Sequence, residues 1–286
     1  MLFFVGLAIL FGSILGGYMP HGDIWVLWQP LEFLIIAGSA VAAFIIASPK
    51  PVIMGVLKRL SRVLKGQPHD KASYLELLTL LYAVLRLAKM KGPLALEEHI
   101  DAPDSSAIFA EFPDFMANEH AVTFLCDYLR LMTMGTEDPH QLEALIEGEI
   151  ETHHAEEAQM VDSVAKVGDA LPAFGIVAAV LGVIVTMGSM LEPPEVLGAL
   201  IGGAMVGTFL GVLLAYGIVM PIASSLKAYA DADIKYYHCI RAALIAHVQG
   251  CPPSVSVEFA RKVLFSNERP SFVEVEDAVS AVPAPA

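Results

Sequence analysis

Residues 196–226, VLGALIGGAMVGTFLGVLLAYGIVMPIASSL, contain no Asp, Glu, Lys or Arg. Residues 1–20, 33–49 and 170–191 also lack charged side chains. Because a helix of roughly 17 to 25 apolar residues crosses the hydrocarbon of a bilayer, each run is long enough to span a membrane. The sequence therefore predicts an all-α, polytopic membrane protein with four transmembrane helices.

The basic residues are unevenly distributed between the segments that flank these runs. Residues 50–164 hold 10 of the 17 Lys and Arg, Lys166 adds one, and residues 227–269 hold the other 6. The connectors 18–30 and 192–195 have none. Since Lys and Arg beside membrane helices stay on the cytoplasmic side, we expect segment 50–164, the C-terminal tail and both chain ends in the cytoplasm.

These patterns divide the chain into four expected domains. Transmembrane helices 1 and 2 occupy residues 1–49, and a helical cytoplasmic domain occupies 50–165. Transmembrane helices 3 and 4 occupy 166–226, and a cytoplasmic helix and tail occupy 227–286. A signal peptide is the alternative for residues 1–20, but no Lys or Arg precedes that run and no small-residue cleavage site follows it.

The segment between the second and third runs is predicted to be a compact helical bundle. Residues 74–87, YLELLTLLYAVLRL, place apolar side chains at helical spacing. Few residues between Gln141 and Met190 would break a helix, so one cytoplasmic helix is expected to run directly into the third span. The end of the chain, 281–286, is expected to be disordered. Turns are predicted at 101–104, 113–114 and 135–139.

The charge of the chain and its Cys and His residues exclude several kinds of site. A net charge of −14 argues against a nucleic-acid partner, because phosphate binding needs clustered Lys and Arg. The three cysteines show no CxxC spacing and are expected to be reduced. His153 and His154 are adjacent on a predicted helix and point in different directions, which favours a solvated surface. We expect no metal site and no cofactor.

Glycines on the last apolar run are predicted to bring two helices close together. Their spacing gives overlapping pairs four residues apart, which permit close contact between helices in lipid. No carboxylate lies in the middle of the third and fourth runs, so a proton pathway would need a titrating group from another polypeptide. The glycines are Gly198, Gly202, Gly203, Gly207 and Gly211.

Four residues at the edges of the runs are interpreted individually, and three of them have two interpretations each. Glu32 is expected to reach the interface, where its charge stays hydrated. Asp169 could cap the third span or hydrate the inner mouth of a pathway. Pro172 and Pro221 could form hinges, or they could mark a helix first turn and a helix stop respectively.

Three stretches carry a family resemblance. They are residues 167–177, VGDALPAFGIV, residues 204–217, AMVGTFLGVLLAYG, and residues 257–272, VEFARKVLFSNERPSF. Together they resemble the MotA family of flagellar motor stator subunits, and QPLE at 29–32 and YLR at 128–130 extend the match. The resemblance implies a homo-oligomeric ring, taken to be five subunits, in the lipid of the bacterial inner membrane.

The resemblance also implies partners and a mechanism. Single-span MotB-like subunits would supply the Asp that accepts the proton, and proton flow would be converted into torque on the rotor protein FliG. Lys89 and Glu97 align with the rotor-contacting Arg and Glu of the family. Because Lys lacks the planar fork of Arg, contact geometry could differ at Lys89.

Further residues take roles in the proton pathway and conformational coupling through the resemblance. Pro172 and Pro221 match two functional prolines, and Thr208 matches a pore-facing threonine. Ala179 stands where sodium-driven relatives carry Thr, which favours protons. Asp169 belongs to the same pathway.

Three rival functions follow from other combinations of these features. A TolQ-like or ExbB-like energy transducer shares the small-residue helices, but such proteins have three spans and an outward N-terminus. A membrane enzyme is disfavoured because the chain contains neither GxSxG nor HExxH. A passive scaffold would conduct no ions even with its partner present.

Overall fold

The computed structural model describes residues 2–65, 69–135 and 138–283, and it is helical, with no strand in these ranges. The chain forms two compact units. The first unit comprises residues 1–67 and 156–229, and the second comprises residues 68–155 and 230–286. Two long helices, α9 and α11, contribute residues to both units.

The helices of the first unit are predominantly apolar. Three described segments have the length and hydropathy needed to cross a membrane: Ile24–Ala47, Pro139–Gly188 and Pro194–Val248. Helix α1 is apolar but shorter, at 17 residues. The helices are α1 (Leu2–Tyr18), α2 (Ile24–Leu27), α3 (Pro30–Ala47), α4 (Lys50–Lys65), α9 (Pro139–Gly188), α10 (Pro194–Leu214) and α11 (Met220–Val248).

Helix α4 is amphipathic and packs one face against the rest of the first unit. Val52, Val56 and Val63 are buried on that face in a cluster with residues of α9 and α11. Arg59 on α4 donates from Nε to Glu157 Oε2 over 2.7 Å. Glu157 is buried, so this ion pair satisfies a charge that would be costly to bury alone.

The second unit is a helical bundle built around α5. Residues 74–87 lie within α5, as predicted, and ten α5 residues are buried. Short helices and 3-10 turns replace the turns predicted near 101–104 and 113–114. The elements are α5 (Lys71–Lys91), a 3-10 turn (Pro93–Leu96), α6 (Glu97–Asp101), 3-10 turns Pro103–Ser105 and Phe109–Glu111, α7 (Pro113–Met116), α8 (Glu119–Thr133), α12 (Pro253–Val263) and α13 (Phe272–Ala281).

Two predictions fall partly on residues outside the described ranges. The turn at 135–139 includes residues 136–137, and the expected disorder at 281–286 includes residues 284–286.

Helix α9 extends from Pro139 to Gly188 without interruption. The single helix expected between Gln141 and Met190 is therefore confirmed.

Two arginines organise the connector between α12 and α13, which belongs to the stretch 257–272 noted above. Arg261 is buried, and its Nη1 donates to the carbonyl of Pro270 over 2.9 Å. Arg269 Nη2 donates to the carbonyl of Leu264 over 2.6 Å. Because these bonds satisfy backbone carbonyls of the connector, this sequence motif has a structural role.

A capping box begins α13. The Ser271 side chain accepts from the Glu274 backbone N–H, and the Glu274 carboxylate accepts from the Ser271 N–H. Lys71 on α5 also donates to Glu274 over 2.7 Å. The Lys71 and Ser271 hydrogen bonds lower the pKa of Glu274 to about 2, so the carboxylate links α13 to α5.

Lowering the pH is expected to weaken the attachment of α13. The folded-state pKa of Glu274 lies below its ordinary value of 4.5, so its contribution is complete above pH 4.5 and is lost as pH falls toward 2. Hydrogen exchange of α13 amides, expressed relative to α12 amides at each pH, should rise over this interval. Glu274→Gln should raise that ratio already at neutral pH, and Glu276→Gln, an exposed change on the same helix, should not. An unchanged ratio in Glu274→Gln would contradict the assignment.

Candidate ion pathway and rotor-contact surface

Helices α9 and α10 approach until their backbones touch. A Cβ built on Gly175 of α9 would lie 2.9 Å from the Gly207 carbonyl oxygen and 3.1 Å from the Gly211 Cα. A Cβ built on Gly211 would lie 2.7 Å from the Leu171 carbonyl oxygen. Real side chains do not fit at these distances, so the contact depends on glycine at these positions.

Only part of the predicted glycine face contacts α9. Gly207 and Gly211 face α9, which confirms the prediction at those two positions. Gly203 faces the side chain of Gln29, and Gly202 faces that of Val26. Gly198 faces open space, so it has no packing role in this unit.

Ala179 and Thr208 lie along the same stretch of the α9–α10 contact. The Cα of Thr208 is 3.4 Å from a Cβ built on Gly175, and the backbone nitrogen of Ala179 is 3.1 Å from one built on Gly207. The Thr208 side chain is exposed within the single chain, and Ala179 is half-buried. This stretch of the α9–α10 contact therefore carries the hydroxyl group of Thr208 and the methyl group of Ala179.

Glu32 also belongs to this site, although the sequence analysis placed it at the interface. Its Oε2 lies 3.1 Å from a Cβ built on Gly207, and its Oε1 lies 3.6 Å from one built on Gly182. Oε2 is buried and has no hydrogen-bond partner among the described residues. The missing glycine side chains leave room for a carboxylate beside both helices, so one carboxylate oxygen of the half-buried Glu32 is enclosed by helix packing, and the interfacial position stays a prediction. The sequence feature that could have revealed this packing is a single acidic residue at the start of an apolar run, in a chain that also contains a glycine-rich helix.

Pro172 lies inside α9, so the first-turn interpretation is wrong. Its ring cannot donate to the carbonyl four residues earlier, at Gly168. A Cβ built on Gly168 would lie 2.6 Å from Met220 Sδ. The unsupported turn of α9 therefore packs against the residue that precedes Pro221.

Pro221 is the second residue of α11, and the helix-stop interpretation is also wrong. A π-helical turn, Ala215–Val219, joins α10 to α11, and the combined helical segment extends to Val248. A π turn is wider than an α turn and often marks a functional site. Both prolines thus interrupt regular hydrogen bonding in long helices. Pro172 follows Gly168 on α9 and Pro221 follows Met220 on α11, and Gly168 and Met220 are in contact.

Asp169 is exposed to solvent in the single chain. Along the chain it lies far from the N-terminus of α9, which begins at Pro139. It therefore does not cap the third apolar span. A role for Asp169 at the mouth of a pathway stays a prediction.

Lys89 and Glu97 are exposed on the second unit. Lys89 lies in the last turn of α5, and Glu97 opens α6. Gly92, with a φ of +88°, ends α5 and allows the chain to turn between them. Met90 and Leu94 are 60% and 67% exposed in the same segment. These four residues form a mixed charged and apolar surface, which we call the α5–α6 surface.

Comparisons with known proteins match the whole chain. The family profile described as Motility protein A N-terminal matches residues 4–92, and that of the MotA/TolQ/ExbB proton channel family matches residues 117–238. Motility protein A of Escherichia coli (strain K12) is 43% identical over 286 residues, which covers 100% of this chain and 97% of that relative. The chemotaxis protein LafT of Vibrio parahaemolyticus is 34% identical and covers 96% of both chains.

Two solved structures share the fold. The C. jejuni MotAB structure superposes with a TM-score of 0.77 at 22% identity and covers 94% of this chain and 98% of that chain. The flagellar MotAB stator complex from Bacillus subtilis superposes with a TM-score of 0.71 at 23% identity, covering 89% and 92%. Full-length identity, both family profiles and the shared fold agree, and the chain belongs to the motility protein A family of flagellar stator proteins, within the MotA/TolQ/ExbB proton channel family.

Proposed function

We propose that proton flow along α9 and α10 changes the packing at Pro172 and Pro221 and thereby moves the α5–α6 surface against the flagellar rotor. The observation that carries this mechanism is the contact between Gly168 and Met220, which joins the neighbourhoods of the two prolines. Helix α9 continues from this contact to Pro139 in the second unit. A change at the prolines can therefore act on the same helix that supports the bundle.

Membership of the family makes the chain a stator subunit with a proton-channel role. The partner and the number of copies in the assembly are proposed in addition. The similar solved structures are described as MotAB complexes. We therefore assign this chain a MotB-like single-span partner whose Asp accepts the proton, in a ring of five copies. Exposed apolar side chains on α9 and α10, including Val183, Val185 and Met205, support further helix contacts in such a ring.

The proposed membrane topology has four spans. Helices α1 and α3 form the first two, and the apolar parts of α9 and α10 form the third and fourth. The connectors Met19–Gln29 and Ser189–Pro193 contain no Lys or Arg, which supports an external position for both. The chain ends, the domain 50–165 and the tail 227–286 are then cytoplasmic, and the protein lies in the bacterial inner membrane.

Protons are the proposed coupling ion. Sodium needs several oxygen ligands, and Ala179 offers a methyl group at the level of Thr208 where sodium-driven relatives carry a hydroxyl. One charge crossing 100 mV releases about 2.3 kcal/mol, which exceeds thermal energy several-fold. Protonation of a single carboxylate can therefore shift a conformational equilibrium.

The rival functions receive less support. The profile that matches residues 4–92 is described as Motility protein A N-terminal. This match favours a stator subunit over an energy transducer of the TolQ or ExbB type. The family is a proton channel family and not an enzyme family. We propose accordingly that the chain catalyses no covalent reaction.

Charge reversal on the α5–α6 surface tests the contact with the FliG rotor protein. Lys89→Glu combined with Glu97→Lys should reduce swimming speed at least several-fold, because both charges would face like charges on the rotor. Membrane abundance should not change, since both side chains are exposed. Glu98→Lys, an exposed neighbour of Glu97, is the matched control and should retain more motility than the double variant.

The rescue experiment makes this test specific. Reversed charges on the rotor protein should restore swimming in the Lys89→Glu, Glu97→Lys variant. Wild-type swimming in that variant, at unchanged abundance, would contradict the rotor contact while leaving the family assignment intact.

A further inference from the structure

A cavity of about 160 Å³ lies between α3 and α9 in the first unit. Its volume is several times the roughly 30 Å³ that one water molecule occupies in the liquid. The residues from α3 recur every three or four positions, and so do those from α9, so two helix faces meet across the cavity without closing it. The lining residues are Ala40, Ala43, Phe44, Ala47, Ser48, Ser163, Lys166, Val167 and Ala170.

Most of the residues that line the cavity are apolar. Three alanines of α3 leave the space because their side chains end at Cβ, and Phe44 and Val167 close its walls. Ala47 and the neighbouring Ile46 are exposed on α3 within the single chain. An apolar lining of this kind is suited to a hydrocarbon chain.

The end of the cavity beside Ser48 is polar and basic. Ser48, Ser163 and Lys166 contribute two hydroxyls and an ammonium group. The Ser163 hydroxyl donates to the Gln159 carbonyl over 2.8 Å. Lys166 Nζ lies 2.6 Å from Asp162 Oδ2, but both side chains are more than half exposed, and an exposed pair of this kind is weak and exchangeable.

We propose that this cavity binds an anionic phospholipid, with one acyl chain along the alanines of α3 and the headgroup phosphate beside Lys166 and Ser48. An apolar wall and a cation line the same cavity, as the two parts of such a lipid require. Basic residues next to a membrane helix attract anionic lipid. A soluble anion would use the ammonium group but not the apolar wall. The inference depends on the chain lying in a bilayer and not on its stator role.

Photochemical crosslinking in whole membranes identifies the occupant. With p-benzoylphenylalanine in place of Phe44, irradiation of the full-length protein in its membrane should yield an adduct with the mass of a phospholipid. A crosslink to a second copy of the chain, or to another protein, would overturn the proposal because the cavity would then be a protein interface. An irradiated sample without a lipid adduct would also count against it.

Spin-labelled lipids measure the headgroup preference of the purified, reconstituted protein. Phosphatidylglycerol should associate roughly fivefold more strongly than phosphatidylcholine, the preference expected from one basic group. Lys166→Gln should remove that preference, whereas Lys227→Gln, an exposed lysine on α11, should preserve it. A preference that survives Lys166→Gln would overturn the headgroup assignment.

A cavity-filling pair of variants tests the acyl-chain site. Ala43→Phe fills the space between the helices and should reduce association of both lipids and the yield of the lipid adduct. Ala42→Phe adds the same ring on an exposed position of α3 outside the cavity and should leave both unchanged. Equal lipid association in the two variants would contradict the proposed site. Motility is not a readout here, so these results stand apart from the rotor-contact test.

Discussion

Gly211→Ala is expected to separate α9 from α10 and to stop motility. The added methyl group would lie 2.7 Å from the Leu171 carbonyl oxygen and 2.9 Å from the Gly175 Cα. Backbone atoms cannot rotate away, so the helices must move apart. Overpacking of a well-packed core costs about 1 to 3 kcal/mol, and the upper end of that range applies to a backbone contact. The purified protein should unfold at a lower temperature.

Gly198→Ala is the matched control for this experiment. It makes the same chemical change in the same helix, but its Cβ meets nothing within 4 Å. Alanine is favoured over glycine inside a helix by about 1 kcal/mol, so this variant should be at least as stable as the wild type. Wild-type thermal stability and swimming in Gly211→Ala would show that the α9–α10 contact does not need glycine.

The extent to which the sequence predicted this structure depends on the solvent of each segment. In lipid every backbone polar group must be satisfied within the helix, so long uncharged runs are strongly biased toward helix. Residues 170–191 and 196–226 accordingly lie almost entirely in helices. The same rule does not fix where a helix ends once it leaves the apolar run, as α9 and α11 show.

The two prolines show why local patterns were insufficient. By spacing alone, Pro172 reads as a helix start and Pro221 as a helix stop, because proline is unfavourable in a helix interior. In the structure the turn at Gly168 is packed against Met220, and a π turn precedes α11. Tertiary packing and a local change of helix type therefore offset the cost, and neither is visible in the sequence.

Glu32 illustrates the same limit for the site. Its place at the start of an apolar run is typical of an interfacial acid, and burial depends on which helix face it meets. Because Gly182 and Gly207 lie on that face, the carboxylate enters the contact between helices. The family resemblance identified Thr208 and Ala179 but assigned no role to this neighbour.

Pro172→Ala is expected to abolish rotation while making the protein at least as stable. Alanine restores the N–H donor for the Gly168 carbonyl and removes the steric conflict of the ring, so the straight helix gains up to about 3 kcal/mol. A hinge that is locked straight cannot transmit a change of packing along α9. Cells should carry normal amounts of the protein and swim not at all, and Pro221→Ala should behave alike.

The pairing of lost function with retained stability separates a hinge from a folding defect. Pro194→Ala is the control, since Pro194 occupies the first turn of α10, where proline is tolerated because the missing donor has no partner. That variant should swim normally. Motility in Pro172→Ala would refute the hinge, and a sharp drop in abundance or melting temperature would show that the proline serves the fold instead. Only immotile cells with a stable, abundant protein fit a mechanism in which the weakened turn at Gly168 is the moving part.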